Sequence, residues 1–345
     1  MELELLLYKE GITLSYLCNP LKAGLLSLSN RLVMPPMATS KATPDGKVSP
    51  ALLEYYNDKS AGGYISLIII EHSYITQLGQ ASAQQLSVAD DATIEGLRQL
   101  ASLIHKNGSK TMMEISHAGS MATEDIIKSI PVGPSCVVNP RNGIIPRELT
   151  IDEIKDVVIN FRDAALRVKA AGFDGVEIHS AHGYLLNQFI SPLTNQRTDE
   201  YGGSLLNRIR LHLEVIQEVR TAVGPDFPIL LRLGVSDFIE GGTTVKDSQT
   251  AAVLFAEAGI DALDVSGGFS GYIVPGLTGQ GYFASLSQAI KEVVSIPVIL
   301  TGGITEPDAA ERLLAEHKAD LIGVGRAILA DSNWAKRATE LMIKN

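Results

Sequence analysis

The residues best suited to chemistry lie between Val176 and Ser204, in the stretch VEIHSAHGYLLNQFISPLTNQRTDEYGGS. A short apolar run typical of a β-strand is followed at once by His179, His182 and Tyr184. Two imidazoles three residues apart, together with a phenol, can hold an oxygen atom by hydrogen bonds and transfer a proton. This arrangement predicts a catalytic site at the end of a strand.

The same stretch has a second interpretation, because Glu177, His179 and His182 are residue types that also bind zinc. On a strand, residues 177 and 179 share a face, whereas residue 182 lies beyond it in a turn. No third histidine or cysteine ligand is evident nearby. The sequence therefore favours proton transfer and predicts no metal site, with a metal-dependent barrel lyase as an outside alternative.

The elements that position these residues alternate from about residue 31 onward between short β-branched runs and longer helical patterns. Such alternation is typical of repeated βα units on a parallel sheet. Eight strands followed by eight helices predict an α/β fold, a (β/α)8 TIM barrel. The predicted strands are residues 31–37, 64–71, 110–115, 175–179, 228–233, 262–266, 297–301 and 320–325. The predicted helices are residues 50–61, 93–107, 151–171, 205–223, 245–258, 284–294, 306–317 and 327–341.

The alternative to a barrel is a doubly wound open sheet, which usually carries a GxGxxG loop after its first strand. Here the first strand is followed by ATSKATPDG, so we expect a single barrel domain over residues 1–345. Residues 1–30 are predicted to form a lid or hairpin across the barrel floor. The stretch 117–149 is rich in Pro, Gly and Asn, and its length predicts an excursion that shapes the pocket.

Polar and glycine residues collect at the carboxyl ends of the predicted strands, where barrels of this kind place their active sites. At the last two strands, TGGI (301–304) and GVGR (323–326) present backbone amides beside helix starts. This predicts a phosphate cradle from Gly303, Gly325 and Arg326, in which the guanidinium adds a charged hydrogen-bond donor.

Composition excludes several classes of partner. The 345 residues carry a net charge of −10, which argues against binding to nucleic acid or to an anionic membrane. The N-terminus lacks the basic start of a signal peptide, and apolar runs such as residues 67–70 are too short to span a bilayer. Cys18 and Cys136 lie far apart in the sequence and indicate ordinary reduced thiols. We therefore expect a soluble, cytoplasmic protein.

From Asn30 to about Asp331 the chain resembles the old yellow enzyme family, in its short single-domain form. The likeness rests on NRLVMPPMA (30–38), ISHAGS (115–120), the stretch 176–204 and GVGRAILAD (323–331). The resemblance implies a bound FMN at the barrel mouth. The residues that it implies around the flavin are Pro35, Pro36, Met37, Ala38, His72, Glu114, Arg232, Gly303, Gly325 and Arg326.

The resemblance also implies a reaction, the reduction of an activated C=C bond in an α,β-unsaturated carbonyl compound. His179 and His182 would bind the carbonyl oxygen, flavin N5 would supply a hydride, and Tyr184 would protonate the α-carbon. NADH or NADPH would first reduce the flavin in the same pocket. Quinone, nitro or amine substrates are an alternative, as is a low-turnover flavin-binding redox sensor.

The sequence departs from the family pattern near the expected flavin. Ala38 replaces a Cys or Thr, Ser120 replaces an Arg, and Glu114 replaces a Gln that contacts the pyrimidine edge. A glutamate there would carry a raised pKa or would form an ion pair with Arg232. The physiological substrate, the choice of NADH or NADPH, and a homo-oligomeric state all stay open.

Overall fold

A computed structural model describes residues 15–344 of the chain. Its centre is a closed barrel of eight parallel strands, which confirms the predicted (β/α)8 fold. Around the barrel the order is β3-β4-β5-β8-β9-β10-β11-β12. In chain order the strands are β1 (Leu21–Ala23), β2 (Leu26–Leu28), β3 (Leu32–Met34), β4 (Leu67–Tyr74), β5 (Lys110–Ser116), β6 (Val132–Gly133), β7 (Arg147–Glu148), β8 (Gly175–Ser180), β9 (Ile229–Gly234), β10 (Ala262–Ser266), β11 (Val298–Thr301) and β12 (Leu321–Gly323).

The helices surround the barrel and bury their apolar faces against it. In α4, for example, Thr150 and Glu153 form a capping box, and Phe161 lies fully buried on the inner face. The α-helices are α1 (Pro50–Ser60), α2 (Ile94–Lys106), α3 (Glu124–Ile127), α4 (Ile151–Ala170), α5 (Leu185–Ile190), α6 (Leu205–Arg208), α7 (Arg210–Val223), α8 (Val245–Glu257), α9 (Ala284–Lys291), α10 (Pro307–Ala315), α11 (Arg326–Ala330) and α12 (Trp334–Lys344). Short 3-10 turns cover Ala61–Gly63, Gln77–Gly79, Asp91–Thr93 and Gly119–Met121.

Several predicted boundaries were wrong for physical reasons. The first barrel strand ends at Met34 because Pro35 and Pro36 have no N–H to donate to the sheet. The second strand continues past Glu71 to Tyr74 through an irregularity in its pairing with β5. The predicted last helix is divided into α11 and α12, and the predicted helix 205–223 is divided into α6 and α7.

The floor of the barrel is an apolar layer. Alternate residues on the strands point inward, and near the amino-terminal strand ends these are aliphatic side chains or Met112. The antiparallel hairpin β1–β2 packs Leu21, Leu26 and Leu28 into the same cluster. The residues of this floor layer are Leu21, Leu26, Leu28, Val33, Leu67, Ile69, Met112, Leu230, Ala262, Ile299 and Leu321. A hairpin thus closes this end, while residues 1–14 of the predicted lid lie outside the described part of the chain.

The excursion between β5 and α4 carries its own small structure, which sequence reasoning did not predict. Strands β6 and β7 pair in parallel, and α3 lies before them. The segment also places Arg141 over the carboxyl end of the barrel, where its Nη1 donates to the main-chain oxygen of His182 (2.6 Å). Within residues 15–344, no helix is both long and apolar enough to cross a membrane.

Candidate active site

A polar layer lies directly above the apolar floor, two residues further along the same strands. Met112 is followed by Glu114, Leu230 by Arg232, and Ala262 by Asp264. Cross-strand pairing puts Glu114 beside Glu177, and Arg232 between His179 and Asp264. Strand register therefore brings one histidine, one arginine and three carboxyls together inside the barrel.

A cavity of about 460 Å³ opens above this layer at the carboxyl ends of the strands. All thirteen residues predicted from the sequence as catalytic or flavin-binding line it. These are Pro35, Pro36, Met37, Ala38, His72, Glu114, His179, His182, Tyr184, Arg232, Gly303, Gly325 and Arg326. The lining residues outside that predicted set are Met121, Arg141, Tyr272, Ile273, Tyr282, Thr301, Gly302, Ile304, Thr305, Gly323 and Leu329.

His179, His182 and Tyr184 form one cluster on the cavity wall. The ring centroids of His179 and His182 are 5.1 Å apart, and those of His179 and Tyr184 are 4.7 Å apart. His179 Nδ1 lies 2.6 Å from a carboxylate oxygen of Glu114, whereas its Nε2 is buried and has no partner in the protein. A buried polar atom without a partner is costly, so this nitrogen is available for a ligand in the cavity.

His182 and Tyr184 are positioned by the turn that leaves β8. His182 adopts a left-handed backbone conformation (φ +59°), and its Nε2 lies 2.7 Å from the hydroxyl of Ser266. Tyr184 begins helix α5 as its N-cap residue. Burial lowers the pKa of His182 well below its usual value and raises the pKa of the Tyr184 phenol. Near neutral pH the imidazole is therefore uncharged and the phenol retains its proton.

The ring of His72 also lies beside that of Tyr184, with ring centroids 5.5 Å apart. Its Nδ1 lies 2.6 Å from the amide nitrogen of Gln85, and burial lowers its pKa to about 4. His72 is thus a neutral residue of the wall. Its neighbour Glu71 does not line the cavity and instead accepts a hydrogen bond from the backbone N–H of Thr39 (2.5 Å).

The carboxyls of the polar layer differ in charge. Burial would raise the pKa of Glu114, but His179 and Arg232 lower it to about 2. Burial, with help from Asp264 and Glu114, raises the pKa of Glu177 well above its usual value, and neither of its oxygens has a hydrogen-bond partner. A raised pKa at Glu114 was therefore the wrong alternative. That property belongs to the adjacent Glu177.

Arg232 is the cation shared by the layer. Its Nη1 lies 3.7 Å from Glu114 and its Nε lies 3.2 Å from Asp264, an ion pair without hydrogen-bond geometry. Burial raises the pKa of Asp264 to about 6, and Arg232 opposes that rise. Asp264 is therefore ionised at neutral pH, and the predicted ion pair between Glu114 and Arg232 is present.

The glycine motifs at the last two barrel strands leave bare backbone facing the cavity. Gly303 has φ +68°, and a Cβ on it would lie 2.5 Å from the carbonyl oxygen of Gly279. A Cβ on Gly325 would lie 2.9 Å from the sulfur of Met37. Position 303 therefore requires glycine, whereas a side chain at position 325 would require the Met37 side chain to move. The exposed side chain of Arg326 stands beside both glycines. This arrangement fits the phosphate of a bound flavin mononucleotide.

Other residues in the motifs have structural roles. Ser120 accepts a hydrogen bond from Asn139 (2.8 Å), and Arg197 pairs with Asp199 (2.6 Å) while it donates to Pro134 and Leu149. Tyr272 and Tyr282 line the cavity, whereas Phe269 is buried. Among residues 15–344, no group of three or more His, Cys, Asp or Glu is arranged to hold a metal ion.

Sequence reasoning gave no role to Arg141, although its position above His182 makes it a prominent side chain at the cavity mouth. The only sequence signal was the length of the excursion that carries it. Tyr272 and Tyr282 follow β10 in the sequence, where a residue that lines the cavity cannot be told from one that packs in the core.

Comparison with known proteins agrees with this geometry. The family model for the NADH:flavin oxidoreductase / NADH oxidase family matches residues 16–345. An NADH oxidase from Thermoanaerobacter brockii is 44% identical over 325 residues, which cover 92% of this chain and 50% of that protein. An NADPH dehydrogenase from Bacillus licheniformis is 40% identical over 318 residues, with 91% of each chain covered.

The fold comparison extends the same result. An old yellow enzyme homologue from Zymomonas mobilis superimposes with a TM-score of 0.81 at 29% sequence identity, covering 94% of this chain and 92% of the other. The chain spans about half the length of the first curated relatives that it matches, at 50% and 49%. The chain belongs to the NADH:flavin oxidoreductase / NADH oxidase family, the old yellow enzyme-like TIM barrels whose cofactor is FMN.

Proposed function

We propose that this chain is an FMN-dependent NAD(P)H oxidoreductase that reduces the activated C=C bond of α,β-unsaturated carbonyl compounds. The observation that carries the proposal is the unpartnered Nε2 of His179. It is buried beside His182 and Tyr184, in a cavity that lies above the charged side chains of the polar layer and has the glycine cradle at its rim. An apolar ligand would leave this nitrogen unsatisfied, whereas a carbonyl oxygen would satisfy it.

The cofactor would be held by groups from several strand ends. Gly303, Gly325 and Arg326 would hold the phosphate, and Pro35 to Ala38 would line the flavin. Arg232 would bring a buried positive charge to the pyrimidine side. When bound, FMN supplies a hydride to the β-carbon of the substrate after it has received one from NADH or NADPH.

The protein's own side chains would orient and polarise the substrate. His179 and His182 would hydrogen-bond the carbonyl oxygen, which makes the β-carbon a better hydride acceptor. Tyr184 would donate its phenolic proton to the α-carbon. Its raised pKa keeps that proton in place until negative charge develops on the substrate.

The donor would enter the same cavity, since the first strand is followed by ATSKATPDG rather than a GxGxxG loop. The names of the two relatives, an NADH oxidase and an NADPH dehydrogenase, support a nicotinamide donor but differ in which one. We expect both to compete with the carbonyl substrate for one site.

Anaerobic titration of the FMN-loaded protein tests the proposal. NADH or NADPH should bleach the flavin absorbance, and cyclohexenone should then restore it. Reduced protein that ignores the enone but is reoxidised by a quinone or a nitro compound would replace this proposal with the alternative substrate class. Reduced protein that no acceptor reoxidises would favour a redox sensor.

Tyr184→Phe separates the two half-reactions. We expect reoxidation by the enone to slow about 10²- to 10⁴-fold, because the proton donor is lost, while reduction by the nicotinamide changes little. Stopped-flow measurement of each half-reaction provides the check. Equal slowing of both would remove the assigned role of Tyr184.

A further inference from the structure

We propose that Glu114 is a positioning residue that fixes the proton of His179 on Nδ1, so that His179 can donate a hydrogen bond into the cavity only as an imidazolium. The cavity would thereby bind a carbonyl oxygen with a full positive charge. The identity of this ligand rests on the proposed function, whereas the state of the histidine does not.

The side chains of His179 and Glu114 are in direct contact inside the barrel. His179 Nδ1 and a Glu114 oxygen are 2.6 Å apart, and both side chains are only 1% exposed. An ionised carboxylate has no hydrogen to donate, so the hydrogen in this bond must belong to Nδ1. A neutral His179 would then present a lone pair at Nε2, which repels a carbonyl oxygen. Only the doubly protonated ring has a hydrogen on Nε2.

The buried groups near the His179 ring differ in charge. Glu114 from β5 lies beside Arg232, which favours the ionised carboxylate, and the pKa of Asp264 from β10 is about 6, so both are ionised at neutral pH. Arg232 from β9 is the cation that faces both of them. A protonated His179 would supply a second cation, so that the buried charges cancel.

The other titratable groups that face His179 do not supply this charge. Burial lowers the pKa of His72 to about 4 and that of His182 further below its usual value, so both rings are neutral. The pKa values of Glu177 and Tyr184 are raised, so both keep their protons. Arg141, the remaining charged group near the cluster, lies at the mouth and donates to the carbonyl oxygen of His182.

Glu114→Gln tests whether a hydrogen on Nε2 of His179 requires the ring to be charged. The amide nitrogen of a glutamine can donate to Nδ1, so a neutral ring would carry its single hydrogen on Nε2 and could still bind a carbonyl oxygen. The variant keeps the shape of the side chain but removes the need for an imidazolium.

Nitrogen NMR of histidine-labelled protein tests the inference directly, with His179→Gln used to assign the signal. In the wild-type protein we expect Nδ1 to carry a hydrogen throughout the range from about pH 6 to about pH 9, and Nε2 to carry one only when the ring is charged. In Glu114→Gln we expect the neutral ring to carry its hydrogen on Nε2 instead. A neutral wild-type ring with its hydrogen on Nε2 would overturn the proposal, because Glu114 would then be the donor.

Ligand binding supplies a second readout without turnover. We expect the Kd of cyclohexenone for the oxidised, FMN-loaded protein, measured between about pH 6 and about pH 9, to rise with pH, because a neutral ring with its hydrogen on Nδ1 has none on Nε2. In Glu114→Gln the Kd should change by less than about twofold over that range. Equal pH dependence in both proteins would overturn the proposal.

Glu71→Gln is the matched control. Glu71 is a buried glutamate outside the cavity lining, and burial raises its pKa to about 7, within the range tested. The variant should retain the wild-type pH dependence, which assigns the effect to His179. If cyclohexenone binds none of the proteins, the proposed function fails, and the NMR result still decides the state of His179.

Discussion

Two layers of side chains fill the barrel interior, and they lie only two residues apart on the same strands. The floor layer contains Met112, Leu230 and Ala262, whereas the layer above contains Glu114, Arg232 and Asp264. The side chains of both layers are almost fully buried. Backbone geometry therefore does not distinguish the layers; side-chain chemistry does.

The floor layer stabilises the fold, whereas the layer above it lowers stability. Each buried Leu, Ile, Val or Met side chain in the floor contributes about 1.5–3 kcal/mol through removal of apolar surface from water. The charged layer carries a desolvation cost that its ion pairs only partly offset. Such a layer is retained for its chemistry, and clustered pKa shifts of opposite sign are its signature.

Arg232→Leu should have the largest effect, since it converts the central cation of the upper layer into a floor-like residue. Glu114 and Asp264 would lose the charge that they share. We expect a loss of about 3–5 kcal/mol in the free energy of unfolding, with loss of bound FMN. Urea unfolding of the apoprotein and flavin content after purification measure the two effects.

The matched control for that substitution is Arg147→Leu, which removes an arginine from a partly exposed pair with Glu153. This change should cost at most about 1 kcal/mol. If Arg232→Leu were no more destabilising than the control, the buried carboxylates would have to be neutral already.

Leu28→Ala should have the next largest effect, and it tests the floor layer. Leu28 belongs to the hairpin that closes the barrel, and it is 3% exposed. Truncation leaves a cavity, which we expect to cost about 2–3 kcal/mol in the free energy of unfolding. The Kd for FMN, measured by fluorescence titration, should stay within about twofold of wild type.

Leu25→Ala, in the exposed turn of the same hairpin, is the control for this variant and should change stability by less than about 0.5 kcal/mol. A large loss of FMN affinity in Leu28→Ala would mean that the two layers are coupled and that the floor layer does not serve stability alone.

The sequence predicted the barrel well because each βα unit is a local pattern. Strand β10 was predicted with the same bounds that the structure has. The errors lie where tertiary contacts decide. Helix α5 was missed because its few residues are buried on all sides and show no amphipathic period.

The candidate site was predictable to the extent that its residues lie at strand ends within long motifs. The charge states were not predictable, because they depend on which strands are neighbours. Glu114 and Glu177 lie 63 positions apart in the sequence and pair only because β5 adjoins β8. Arg141 was missed because no local pattern specifies how a long excursion folds back over the barrel.

Glu177→Gln should have the smallest effect of all below about pH 4, and its pH dependence tests the difference between the two glutamates of the upper layer. The folded-state pKa of Glu177 is raised, so the stability that its protonated form contributes is present below about pH 4 and is lost as the pH rises. A glutamine does not ionise in the folded or the unfolded state, so the variant should not lose stability in this way as the pH rises. Relative to wild type, its free energy of unfolding should increase with pH by at most about 1.4 kcal/mol per unit.

The adjacent Glu114→Gln should give the opposite slope. The pKa of Glu114 is lowered to about 2, so its contribution is present above about pH 4 and is lost as the pH falls through about 2. Relative to wild type, the free energy of unfolding of Glu114→Gln should therefore be lowest near neutral pH and should rise as the pH falls. Urea unfolding at several pH values compares the two variants, and parallel slopes would mean that these paired carboxyls share one charge state. Opposite slopes would establish that two neighbouring glutamates, buried to the same degree in one layer, differ in charge because of the cations that each one faces.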